Sequence, residues 1–197
     1  EEINLGGSDT WMLLSRSKFF LTRLKKICRQ QGYGYKMYGQ SSIDNEFTHA
    51  IESWEKLRRD TRISVSEVKN LIRFISQKIS LPTLKDYGIA DLGFTTAAKQ
   101  HDWMTVLREI PPEEREYLRA CLRNGEKFGT DPRILVSTIH QVKGGEADNV
   151  VLVTDMGKLS WLNSTKDEEI RVWYVAITRA RKNLFLIRPR TIKFFDV

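Results

Sequence analysis

Apolar and polar positions along the chain repeat with two different periods, and the changes of period divide it into three stretches. The run Trp11-Met-Leu-Leu-Ser15 is apolar over the length of a strand. It is followed by Ser17, a residue suited to capping a helix, and then by Phe20, Leu24, Ile27 and Cys28 at helical spacing. Gly32 and Gly34 end that helix, and residues 33–38 return as a second short strand. A β-α-β opening of this kind builds parallel sheets. From residue 41 to about 130 the pattern is helical, with Phe47, Ile51, Trp54 and Leu57 on one face and then Val68, Leu71, Ile72 and Ile75. Leu118 and Leu122 follow the Pro111-Pro112 pair, and Pro82, Gly88 and Gly93 punctuate the stretch. Strand signals resume at residues 134–138 and 150–153, a charged helix runs over about 166–180, and residues 184–187 form a last strand. The pattern predicts an α/β fold: a mostly parallel sheet whose chain leaves after the second strand, builds a helical subdomain and returns.

Composition supports packed cores. Hydrophobic residues make up 41% of the 197 residues, with five Trp and nine Phe, which excludes a disordered chain. The two cysteines, Cys28 and Cys121, stand far apart with no Cys-x-x-Cys or Cys/His pairing, which argues against structural zinc and for a reducing, intracellular compartment. Apolar runs such as residues 11–14 and 134–136 are far below membrane-spanning length, and the opening EEINLGG is no signal or transit segment. A first residue of Glu in place of Met suggests a piece excised from a longer protein.

The net charge is +7, from 32 Lys+Arg against 25 Asp+Glu, and it is unevenly spread. Residues 1–43 carry +4, residues 44–130 carry zero and residues 131–197 carry +3. If the two ends, 1–43 and 131–197, fold together and 44–130 is an inserted unit, the whole excess lies on one body, which would attract a polyanion. Charge alone leaves open whether Arg23, Lys25, Lys26 and Arg29 are simply a solvated helix face.

Two segments carry candidate chemistry. The first, ILVSTIHQVKGGEADNVVLV over residues 134–153, reads as strand, glycine turn and strand. In open α/β sheets, ligands bind beyond the carboxyl ends of the strands, so Thr138, His140, Gln141, Lys143 and Glu146 are expected there. An ordinary βα turn with a glycine pair is the alternative. The second, DEEIRVWYVAITRAR over residues 167–181, has an acidic start and a basic end that suit a helix dipole, and it brings Arg179 and Arg181 beside the final strand. His49 and His101 have no partner at metal spacing, Trp54 and Trp103 read as core residues, and Tyr33, Tyr35 and Tyr38 receive no function.

Taken together, VSTIHQVKGGEADNVVL and EEIRVWYVAITRARKNL resemble motifs V and VI of superfamily 1 DNA helicases of the UvrD/Rep type. Thr138, His140, Lys143, Gly144 and Glu146 fall in order on the family's T-x-H-x-x-K-G-x-E. Glu168 and Glu169 precede Arg171, Tyr174, Val175, Thr178, Arg179 and Ala180 at the spacing of motif VI. LLSRSKFFLTRLKK with the later YKMYG is similar to motif IV and the strand after it, with Arg16 at the motif arginine and Tyr38-Gly39 at the recurring Tyr-Gly. Ser15 stands where many relatives place an adenine-stacking Tyr. The likeness covers nearly all of the two basic ends and almost none of residues 44–130.

The resemblance implies a second RecA-like domain, discontinuous over 1–43 and 131–197, interrupted by an accessory subdomain shorter than the usual one. It implies that Arg179 and Arg16 act as arginine fingers and that Gly144, Glu146, Arg179 and Arg16 meet ATP. Thr138 and His140 would contact single-stranded DNA, and Lys143 could serve either ligand. Arginine suits the finger role because its guanidinium stays charged and binds phosphate oxygens through a planar fork, and phosphoryl transfer is driven largely by neutralising charge. No G-x-x-x-x-G-K-[ST] occurs in the sequence, and no acidic pair offers a Mg2+ site. ATP and Mg2+ would therefore be held by an N-terminal RecA-like domain of the same protein, with translocation 3′ to 5′ as in the family. A non-catalytic DNA-binding or docking module, and the motor part of a helicase-nuclease, are the competing readings.

Overall fold

The computed structural model describes residues 3–142, 144–163, 165–188 and 192–196. In chain order the elements are β1 (Trp11–Ser15), α1 (Lys18–Gln31), β2 (Tyr35–Met37), β3 (Gln40–Ser41), α2 (Asn45–Arg58), β4 (Ile63–Ser64), α3 (Val65–Leu71), β5 (Asp86–Tyr87), α4 (Trp103–Val106) and α5 (Pro112–Arg123). They continue with β6 (Ile134–Thr138), β7 (Ala147–Val153), α6 (Lys158–Leu162), α7 (Asp167–Ile177) and β8 (Ala180–Ile187). Two compact units emerge: one from the described residues of 1–42, 120–126 and 130–197, the other from 43–119 and 127–129. The tail of α5 groups with the first unit, where the sequence expectation kept it in the middle segment.

The first unit is built on a six-stranded sheet of order β3-β2-β6-β1-β7-β8, parallel throughout except for the β2–β3 pair. This is the RecA-like α/β architecture that the pattern and the resemblance predict. All five residues of β1 are buried, and alternation divides them between the two faces. Trp11 and Leu13 pack with Leu21, Leu24 and Cys28 of α1 on one face. Met12 and Leu14 pack with Trp173 and Ala176 of α7 on the other.

Local sequence fixes the ends of α1. Ser17 is its N-cap and accepts from the Phe19 amide. Gly32 ends it at φ 73°, and a Cβ there would lie 2.6 Å from that of Ala120, so only glycine fits. The Asn124 side chain donates to the Gln31 and Gly32 carbonyls, satisfying the helix end from the tail of α5. Ile27 is 39% exposed and Leu122 41%, so neither belongs to the core that helical spacing suggested; the buried positions of α1 are Leu21, Leu24 and Cys28. The second strand is shorter than expected, because Tyr33 is held by its amide on the Cys28 carbonyl and leaves only Tyr35–Met37 to pair with β6. Tyr38 (φ 52°) and Gly39 (φ 80°) then form a two-residue hairpin turn with both φ positive, which accounts for the Tyr-Gly pair as turn chemistry.

The second unit is helical in part. In α2, Trp54 is fully buried and donates from its indole to the His101 carbonyl, with Phe94 edge-on to its ring. Ser64 and Glu67 make a reciprocal capping box at the start of α3. Between α3 and α4 the expected helices give way to 3₁₀ turns and the β4–β5 pair, in the stretch that holds Pro82, Gly88 and Gly93. Among the described residues no helix is long and apolar enough to cross a membrane.

One ion pair ties α7 to the end of β1. Arg16 donates from Nε and Nη2 to the two carboxylate oxygens of Glu169 at 2.8 and 3.0 Å, and the Trp173 indole donates to the same carboxylate at 3.2 Å. Glu169 is buried, and the Arg16 side chain keeps 23% exposure. Glu169→Gln retains the shape and removes the charge, so urea unfolding of the 197-residue chain should show a loss of about 2 kcal/mol. That lies below the range for fully buried pairs because water still reaches Arg16. A second expectation concerns Cys28, whose thiol is pushed up to about 12 by burial. Cys28 and the equally buried Cys121 should resist alkylation by iodoacetamide in the native chain and react only after denaturation, as read by mass spectrometry.

Candidate functional site

The parallel sheet has two distinct edges, and the candidate residues divide between them. Ser15 and Thr138 are register partners at the carboxyl ends of β1 and β6, so Arg16 and the residues after Thr138 leave the sheet side by side. Ala147 and Ala180 are partners at the amino ends of β7 and β8, so Glu146 and Arg179 lie at the other edge. From the level of Ala147 to that of Val153, the partner of Ser15, six residues of strand span about 20 Å. The expectation that Thr138, His140, Gln141 and Glu146 share the carboxyl edge is corrected accordingly: a 3₁₀ turn at Ile139–Val142 carries the chain back along the sheet before β7 begins.

At the carboxyl edge Thr138 is buried, and its hydroxyl donates to the Gln141 side-chain oxygen at 3.1 Å, with the Ser137 hydroxyl on the same atom at 3.4 Å. Thr138 therefore shapes the turn. His140, next to it, is exposed. Ser15 is buried and its hydroxyl donates to the Ser17 carbonyl, which makes it part of the β1–α1 turn. Arg16 is neutralised by Glu169.

At the amino edge Gly144 adopts φ 85°, a conformation that favours glycine. Gly145 approaches β1 so closely that a Cβ would meet the Met12 side chain at 3.0 Å. Arg179 binds back onto this turn: Nη1 donates to the Gly145 carbonyl at 3.1 Å, Nε to the Val175 carbonyl at 2.9 Å and Nη2 to the Thr178 hydroxyl at 3.1 Å. All three acceptors are neutral. The guanidinium keeps its full charge and one further N–H on each terminal nitrogen. Its neighbours differ. Arg181 is paired with Glu146 at 3.1 Å, both exposed, and Lys182 is held between Asp9 at 2.8 Å and Asp148 at 3.3 Å. A register shift between Ala147 and Asn149 sets the consecutive cations Arg181 and Lys182 against Asp148, a β-bulge that aims them at separate partners. The amide and hydroxyl of Thr10 hold the Asp148 carboxyl down to about 2.

The structure thus brings Gly144, Glu146 and Arg179 together and leaves Arg16, Thr138 and His140 at the opposite edge. Two guanidinium groups about 20 Å apart cannot meet one phosphoryl group, so the pairing of Arg16 with Arg179 as joint fingers is corrected. Lys143 lies outside the described residues. Gln141 and Glu169 shape the site without having been singled out for it. Glu169 stands four residues before Trp173, one helical turn, which is the one trace of its role in the sequence. Among the described residues no group of three or more His, Cys, Asp or Glu side chains is placed to hold a metal ion.

A protein similar to this chain is F-box DNA helicase protein 1 of Schizosaccharomyces pombe, 32% identical over 128 residues; the match covers 56% of this chain and only 15% of that protein. Residues 18–191 match the UvrD-like helicase C-terminal domain, a span that holds α1, the whole of β6 to β8 and the amino-edge cluster around Arg179. The chain belongs to the UvrD-like helicase C-terminal domain family.

Proposed function

We propose that this chain is the second half of an ATP-dependent DNA translocase, completing a nucleotide site whose other wall is a preceding RecA-like domain of the same protein. The observation that carries the reading is Arg179. It is a partly buried guanidinium bonded to two carbonyls and a hydroxyl, all neutral, and set beside an exposed carboxylate, Glu146, on one edge of a RecA-like sheet. An uncompensated guanidinium with donors to spare is suited to charge developing on a transferred phosphoryl. Glu146 would accept from a ribose hydroxyl, and its surface pair with Arg181 is weak enough to be exchanged for a ligand. Gly144 lets the turn approach the nucleotide without a side chain.

The donor set fits the phosphates and sugar of ATP but not Mg2+, since no acidic cluster is found among the described residues. Mg2+ would supply charge neutralisation on the phosphates, and its ligands belong in this reading to the preceding domain. The carboxyl edge would meet single-stranded DNA through the exposed His140, on a turn whose shape Thr138 and Gln141 set. Arg16 takes a positioning role, holding α7 through Glu169. The domain arrangement belongs to the same reading: 1–43 and 131–197 as the motor domain, with 44–130 as an inserted accessory subdomain.

The test is made on the full-length protein. Arg179→Ala should lower DNA-stimulated ATP turnover by about 10³–10⁵ while circular dichroism stays native, and Arg179→Lys should restore little because a point charge lacks the fork. The 197-residue chain by itself should hydrolyse no ATP. A native Arg179→Ala protein with unchanged turnover removes the finger role, and hydrolysis by the isolated chain removes the half-site.

A further inference from the structure

Helix α1 carries five Lys/Arg residues and no Asp or Glu, so this single element holds a positive excess equal to most of the +7 of the entire chain. Helices stabilised for their own sake intersperse the two signs at i, i+4 spacing and place acids in the first turn. Here the first turn has no acid, and Lys18 adds a cation where the helix dipole disfavours one. Lys18, Arg23 and Lys26 lie on the exposed face and form no ion pair among the described residues. Elsewhere in the same unit Arg16, Lys36, Arg133, Arg181 and Lys182 are each matched to a carboxylate. The free cations are therefore concentrated on one surface.

That surface begins with an aromatic ring in water. Phe19 is 79% exposed, and Phe20 meets it edge-on with centroids 5.2 Å apart. A large apolar side chain left this open at the head of a cationic helix is costly unless something covers it. Its place is informative. Because Ser15 and Thr138 are register partners on neighbouring strands, the segment leading into Phe19 leaves the sheet at the same edge as the turn bearing His140.

We infer that the outer face of α1 is a track for single-stranded nucleic acid, in which Lys18, Arg23 and Lys26 contact successive phosphates and Phe19 stacks on a base where the strand passes from the His140 edge onto the helix. From Lys18 to Lys26 the helix advances about 12 Å, which matches about three phosphates of one strand. Stacking on an aromatic ring tolerates every base, and lysine and arginine on phosphates read no sequence, so the track is indifferent to sequence. The inference rests on the reading of the carboxyl edge as the DNA-facing edge and extends it onto a surface that carries none of the residues placed in the motor chemistry.

The test is a salt titration of the 197-residue chain on a labelled oligothymidylate, followed by fluorescence anisotropy. Lys18→Gln, Arg23→Gln and Lys26→Gln combined should make the log–log salt slope shallower by about two and weaken binding about a hundredfold at about 0.1 M salt. Replacing both lysines by Arg should leave both quantities near wild type. Phe19→Ala should weaken binding about tenfold with the slope unchanged, and Phe19→Trp should restore it. His140→Ala reports separately on the edge. If His140→Ala weakens binding while the α1 variants, native by circular dichroism, bind as wild type, the track is overturned and the edge reading stands. If the wild-type chain binds no strand at low salt, the edge reading falls and the track with it. A larger loss for duplex than for single strands in the α1 variants overturns the single-strand assignment.

Discussion

The molecule depends on the placement of β1. Its five residues are buried on both faces and hydrogen-bonded on both sides, to β6 and to β7, so neither hydrophobic layer can close until strands from the far end of the chain arrive. The separation is large: Ser15 pairs with Thr138 and with Val153. Loop-closure entropy rises only logarithmically, by about 0.6 kcal/mol for each doubling of length, so a long connection is tolerated. A connection that folds into its own compact unit, with Trp54 and Leu71 buried inside, adds further stability of its own. The exit after β3 and the return before β6 are consistent with this, because both lie on the side of β1 away from β7.

A parallel sheet also separates chemistry by direction. Every strand but β3 points the same way, so residues just past a strand's end and residues just before a strand's start lie at opposite edges. Helix α7 runs between the edges, with Glu169 in its first turn gripping Arg16 and with Arg179, just past its end, gripping the Gly145 carbonyl. One element of 11 residues therefore has an ionic anchor at the carboxyl edge and a hydrogen-bonded one at the amino edge. In the proposed motor the nucleotide and the strand would each meet a different end of it. Glu169 thereby accounts for Arg16 more fully than a phosphate does: a guanidinium already bound by both oxygens of a buried carboxylate has little charge left for a distant ligand.

Periodicity made much of the fold legible. The run at 11–15, the helix after Ser17 and the strands at 134–138 and 147–153 stand where apolar pattern and capping residues place them. Tertiary context decided the rest. Ile27 matches the helical spacing yet faces water, and the stretch around Pro82 and Gly88 resolves into 3₁₀ turns whose burial no local period encodes. The candidate site was legible as a set of residue types but not as a geometry. Thr138, His140, Gly144 and Glu146 fall within nine residues, and proximity in sequence suggested one pocket. A single 3₁₀ turn separates them by nearly the height of the sheet. Nor does a sequence reveal which arginine has a counter-charge. Only folding matches Arg16 and Arg181 to carboxylates while Arg179 rests on neutral carbonyls and a hydroxyl.

The same distinction governs α1. Counted by segment, its cations are indistinguishable from a solvated face, because net charge records how many ionic groups exist and not which of them are paired. Pairing is what separates the two cases. Where Lys182 sits between Asp9 and Asp148, or Arg133 against Glu126, the local field is largely cancelled, and neutralising a phosphate there would first require breaking a bond already made. Along α1 nothing needs to be broken at Lys18, Arg23 or Lys26, and the field of three like charges on one face adds. Such an arrangement weakens the isolated helix through its own repulsion, at i, i+3 and at the dipole-disfavoured first turn. Its stability is supplied instead by Leu21, Leu24 and Cys28 in the core and by caps at both ends, which leaves the outer face free to be shaped by a ligand's charge.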